Sequence, residues 1–218
     1  MFLSVFDIFK IGIGPSSSHT MGPMVAAGRF LDELAGNDWP RPEGARVASI
    51  KASLHGSLAF TGVGHATDRA VILGLTGEKP ETIDPDRMDA IIEEVKRTRT
   101  ISPPGHPDYA FNPATDLIFD RKNPLPGHAN GMTLSAYDRD EALLLKRVYY
   151  SVGGGFVMTD TELEADKAQR GVPELKSVPY PFANAAQMLE MAAASGLSIA
   201  EMKRANEIAH RSEASLNA

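Results

Sequence analysis

Apolar residues recur along the chain with two different periods, and these predict its elements. In "PMVAAGRFLDEL", Met24, Ala27, Phe30, Leu31 and Leu34 fall at three- and four-residue spacing, the stripe of a helix buried on one face. Pro23 suits its first position and Gly22 its cap. "VASIKASLHG" alternates instead, with Ala48, Ile50, Ala52 and Leu54 on one side, which predicts a strand. A helix is expected from about Asp68 to Leu75. Another follows Asp84 as cap and Pro85, with Met88, Ile91, Ile92 and Val95 inward. Residues 101–114, with four prolines, read as an irregular loop, and "TDLIFD" as a short strand. Residues 131–157 read as two strands joined at Asp138–Asp140, then a glycine turn. At the N-terminus, Phe2, Ser4 and Phe6 alternate as in a first strand or a buried segment. From Glu162 to Ser177 the composition turns polar, as in a linker. Helices are expected at about 183–195, ending at Gly196, and after the capping box Ser198–Glu201.

Helices mixed with hairpins point to an α+β fold, a mixed or antiparallel sheet with packed helices, followed by a C-terminal helical segment. The expected division is a domain over 1–160, a linker over 161–181 and the first helices of a further domain over 182–218. Two helices after a linker bury little surface by themselves.

The 218 residues carry a formal net charge of −6 and no run of Lys or Arg, so nucleic acid is not an expected partner. No stretch approaches a membrane span, and the apolar opening is interrupted by Asp7 and Lys10 without the features of a signal peptide. A cytoplasmic protein is therefore expected. There is no cysteine, hence no disulfide and no thiolate for zinc or an iron–sulfur cluster. The six histidines include no H-x-x-x-H or H-E-x-x-H pair, so spacing gives no metal site.

Chemistry concentrates in loops. "GPSSSHTMGP" places Ser16, Ser17, Ser18, His19 and Thr20 before the first long helix. Hydroxyls and free N–H groups there suit a small carboxylate, with His19 placed for proton transfer. The same residues also suit an ordinary Ser/Thr cap. In "GVGHATDR", His65 and Thr67 sit between a glycine turn and a helix start; imidazole titrates near pH ~6.5 and can exchange protons at neutrality. "NPLPGHANGM" brings His128 and Asn130, although Asn130–Gly131 also reads as turn chemistry. His106 has a poorer claim, His55 reads as packed in a strand and His210 as solvated. "YYSVGGGFV" lacks the spacing of a phosphate or dinucleotide loop and reads as a tight turn.

Five blocks together, "SVFDIFKIGIGPSSSHTMGPM", "GSLAFTGVGHATDRAVILGL", "PGHANGM", "YYSVGGGFV" and "PYPFANAAQMLEMA", resemble the bacterial iron–sulfur-dependent L-serine dehydratases. The resemblance implies a β domain similar to the allosteric substrate-binding domain of some phosphoglycerate dehydrogenases. It also implies an α domain whose cysteines hold a [4Fe-4S] cluster. This chain matches the β domain and the start of the α domain, without the cysteine-bearing region; a truncated product, or a chain beside a separate α chain, is expected, and the tail favours truncation.

The implied reaction is L-serine to pyruvate and ammonia, with a cluster iron as Lewis acid. Carried onto this sequence, the catalytic set is His19, His65, Thr67 and His128, with His19 or His65 as proton carrier. Ser16, Ser17, Ser18, Thr20 and Asn130 would bind substrate, at a face shared with the α domain. A homo-oligomer is expected, and the chain alone should be inactive. The alternative is a serine-sensing regulatory domain of the same enzyme. His55 stands where the resemblance leads one to expect tyrosine.

Overall fold

The computed structural model describes residues 4–36, 39–169 and 178–217. In chain order, α1 (Val5–Ile8) is followed by a π-helical turn (Ser17–Met21), α2 (Gly22–Ala35), β1 (Ser49–Gly56), α3 (Ser57–Thr61), a 3-10 turn (Val63–His65) and α4 (Thr67–Leu75). A 3-10 turn (Pro85–Arg87) leads into α5 (Met88–Thr98), then β2 (Thr100–Ile101), β3 (Tyr109–Ala110), α6 (Pro113–Asp116) and β4 (Leu117–Asp120). Next come β5 (Asn130–Tyr137), β6 (Leu143–Gly153), β7 (Phe156–Thr159) and α7 (Asp160–Gln169). The last helices are α8 (Ala185–Ser195), α9 (Ile199–Ile208) and α10 (Glu213–Asn217).

The chain forms two compact units, Lys10–Lys167 and a second made of Met1–Phe9 with Ala168–Ala218. The larger unit is α+β. Its seven strands run β2-β3-β1-β5-β6-β7, with β4 also on β1; β1 pairs parallel with β3 and β4, and antiparallel with β5. The register places Ile50, Ala52 and Leu54 opposite Ala136, Leu134 and Met132, all buried, so the alternation read from the sequence becomes one apolar face. Helices α2 and α4 contribute Met24, Ala27, Phe30, Val71 and Leu75 to the same core. Asp84 caps the turn before α5, where Ile92 and Val95 are buried. At the β5–β6 turn the Asp138 carboxylate accepts N–H groups from Asp140 and Ala142.

In the smaller unit, Met202 is buried and two polar side chains tie distant segments together. The buried Glu207 carboxylate accepts from the Ser4 hydroxyl (2.7 Å) and the Val5 N–H (2.8 Å). The Asn206 amide exchanges two bonds of 2.8 Å with the Tyr180 main chain. The capping box of α9 forms as expected from Ser198 and Glu201.

Four readings are corrected. The N-terminal segment is helical over Val5–Ile8 rather than a strand, because Glu207 satisfies the first N–H of that turn. Gly22 opens α2 from within: Met21 is already helical and the capping oxygen belongs to Ser16. In "TDLIFD" the strand begins only at Leu117. The expected linker is helical through Gln169, because Thr159 and Glu162 reciprocally cap α7 and Leu163 is buried; residues 170–177 of that reading lie outside the described residues. Among the described residues, no helix is long and apolar enough to cross a membrane.

Candidate active site

Beyond the C-terminal end of β1 the chain turns sharply. Gly56 adopts φ 54°, and a Cβ there would collide with the Ala129 carbonyl oxygen. The turn delivers Ser57, whose N–H donates to that carbonyl at 2.8 Å. Helix α3 then runs only five residues, and a 3-10 turn brings His65 back beside it. Ala66 follows with φ 55°, a left-handed conformation uncommon for alanine, and α4 starts at once.

His19 comes from the π-helical turn and stacks against His65, with ring centroids 4.8 Å apart and planes tilted by 39°. Two threonines brace the pair crosswise. Thr67 donates to the His19 carbonyl at 2.6 Å, and Thr20 donates to the His65 carbonyl at 2.8 Å. Both threonines are buried, and each hydroxyl proton is committed to a main-chain oxygen.

The ring nitrogens are held differently. His19 Nδ1 lies 2.9 Å from the Ser18 hydroxyl and Nε2 lies 3.0 Å from the Ser57 hydroxyl. Burial lowers the His19 pKa, the neighbouring His65 lowers it further, and a hydrogen bond with the Ser57 main chain opposes both. The net shift favours the neutral ring of His19. His65 Nδ1 lies 3.0 Å from the Thr61 carbonyl oxygen. A carbonyl only accepts, so neutral His65 carries its proton on Nδ1 and a lone pair on Nε2. Among the described residues, Nε2 has no partner.

The serines divide their work. Ser16 is the cap, its Oγ accepting the His19 N–H at 3.2 Å and lying 3.4 Å from Ser18 Oγ. Ser17 is exposed, without a side-chain partner among the described residues. Because Ser16 caps the turn, the first N–H groups without an acceptor among the described residues belong to Ser17 and Ser18 rather than to the start of α2.

His128 is joined to this corner through the main chain. The Asn130 N–H donates to His128 Nδ1 at 3.1 Å, and Asn130 Nδ2 donates to the Ser151 carbonyl at 3.2 Å. Asn130 pairs with Gly56 across β1 and β5, while Ala129 receives the Ser57 N–H. Gly127 lies against the Tyr150 ring, whose hydroxyl accepts its N–H at 3.1 Å. His19 and His65 thus touch, and His128 is tied to their support without touching either. His55 is packed, as expected, with Nδ1 2.8 Å from the Asn123 carbonyl and Nε2 3.2 Å from Thr133 Oγ1. Ser57 was not among the residues the sequence pointed to; the one local signal was its place after a glycine that ends a strand.

A metal cluster does not fit this chain. It has no cysteine, and the described residues contain no group of three or more His, Cys, Asp or Glu side chains able to hold a metal ion.

On this α+β scaffold the His19–His65 pair is braced by Thr20 and Thr67, and His65 offers Nε2 as a hydrogen-bond acceptor. Residues 4–162 match the family model "Serine dehydratase beta chain", and the chain belongs to that family. It is 45% identical over 213 residues to an L-serine dehydratase of Streptomyces coelicolor, covering 98% of this chain and 45% of the relative. It is 40% identical to one from Haemophilus influenzae, covering 95% and 44% of the two. L-serine dehydratase 1 of Escherichia coli is 39% identical, covering 97% and 44%. The chain spans less than half the length of these relatives.

Proposed function

We propose that this chain is the β part of an L-serine dehydratase and supplies the proton-handling side of its active site. The observation that carries the reading is the His19–His65 pair, in which His65 bonds a carbonyl through Nδ1 and keeps Nε2 open. In this reading the substrate carboxylate sits at the N–H groups of Ser17 and Ser18 with their hydroxyls, near the positive end of the turn. The Asn130 side-chain oxygen receives the substrate ammonium, and His128 holds Asn130 in place.

His65 Nε2 takes the proton from the substrate Cα. The imidazolium that results faces His19, whose lowered pKa disfavours a second positive charge beside it. The β-hydroxyl leaves with one proton as water, giving aminoacrylate, which becomes the imine and is hydrolysed by water to pyruvate and ammonia. Ser16, Thr20 and Thr67 hold the histidines rather than touch substrate. The [4Fe-4S] cluster that the resemblance implies would activate the departing hydroxyl and would be held by cysteines outside this chain.

The test is pyruvate formation from L-serine by the complete dehydratase carrying His65→Asn. Removing a positioned base should lower kcat by about 10²–10⁴-fold, with KM and melting temperature little changed. Unchanged turnover with altered cooperativity toward serine would instead make this chain a regulatory serine sensor.

A further inference from the structure

Both imidazoles of the pair are held by one five-residue helix, α3, with a contact at each of its ends. At the first residue, the Ser57 hydroxyl meets His19 Nε2 at 3.0 Å, across 38 positions of sequence. At the last, the Thr61 carbonyl meets His65 Nδ1 at 3.0 Å. The helix is tied within itself, because the Thr61 hydroxyl donates to the Ser57 carbonyl at 2.8 Å. It is also tied to the loop carrying His128, because the Ser57 N–H donates to the Ala129 carbonyl at 2.8 Å. Ser57 therefore makes three ties at once: its hydroxyl to the serine turn, its carbonyl to Thr61 of the same helix, which orients His65, and its N–H to the loop before β5.

We infer that Ser57 is a positioning residue for proton transfer, its hydroxyl fixing the His19 ring against His65. This deepens the reading of the histidine pair as the proton-handling site and rests on it. Without the hydroxyl, His19 loses the side-chain bond at Nε2, its Nδ1 bond to Ser18 stays within the same turn, and the ring is freer to swing away from the pair. The ring would then leave His65 without its neighbour as charge develops. A misplacement on the ångström scale costs up to about 10²-fold in rate.

The test has two readouts. In the complete dehydratase, Ser57→Ala should lower kcat by about ten- to a hundredfold while KM for L-serine stays close to wild type, and Ser57→Thr, which keeps the hydroxyl, should restore most of the rate. In the 218-residue chain, nitrogen-15 NMR of the imidazoles should show the His19 resonances moving in Ser57→Ala and returning in Ser57→Thr. The His55 resonances, whose partners are Asn123 and Thr133, should stay in place. A wild-type kcat in Ser57→Ala overturns the inference, as does a lowered kcat with unmoved His19 resonances. Should Ser57→Thr fold poorly, the Ser57→Ala spectrum decides alone. His65→Asn run in parallel separates the two levels: normal turnover there removes the proton-handling reading, whereas lost turnover there with a silent Ser57→Ala removes only the role of Ser57.

Discussion

Two histidine regions meet at the end of β1, and they are built to opposite ends. His55 is 7% exposed, and both its nitrogens are bound to partners within the sheet and its connecting loop. The His19–His65 corner is half-buried, its rings bonded mainly through hydroxyls, with one nitrogen open. A histidine with both nitrogens satisfied and little exposure contributes to stability and has no lone pair to offer. One held through a single nitrogen, on a braced main chain, has position and a lone pair together. The contrast lies between His55 and His65, and sequence spacing does not show it.

The comparison can be broken at its hinge. Gly56→Ala lies between the regions, at φ 54° and against the Ala129 carbonyl, and should cost at least about 2 kcal/mol in urea unfolding while disturbing both sites. Next, His55→Ala leaves the Asn123 carbonyl and the Thr133 hydroxyl without their partner. It should lower stability by about 1–3 kcal/mol with kcat little changed, by denaturation and steady-state assay.

The smallest effect is on pH dependence. The folded pKa of His19 lies below its ordinary value of 6.5, mainly through burial. As pH falls through that value the unfolded chain binds the proton first, so stability should decline from neutral pH down toward the folded pKa. His19→Gln should flatten that part of the profile, read as melting temperature between pH 7 and 5.

Much of the scaffold was legible because its causes are local. The stripe of α2, the alternation of β1, the Asp84 cap and the β5–β6 turn each depend on residues within a few positions. The α7 helix was legible in principle, since Thr159 and Glu162 have capping-box spacing, but its polar composition hid it. The α1 turn was not, because the group that fixes it is Glu207, 202 positions away.

The site follows the same rule. "SSSHT" and "GHATDR" announced themselves as polar residues beside helix starts, and His19 and His65 do meet. What each hydroxyl does depended on the partner across the fold. Thr20 and Thr67, expected to bind substrate and to take part in catalysis, each donate to a carbonyl of the opposite segment. Ser57 was silent because its partner lies in a distant turn.

The central claim is that His65 removes the substrate's α-proton. L-serine deuterated at Cα, given to the complete dehydratase, tests it by the rate at which deuterium enters water. Wild type should release deuterium in step with pyruvate, and His65→Asn should release it about 10²–10⁴-fold more slowly with its melting temperature unchanged. Deuterium release by His65→Asn at the wild-type rate would contradict the account.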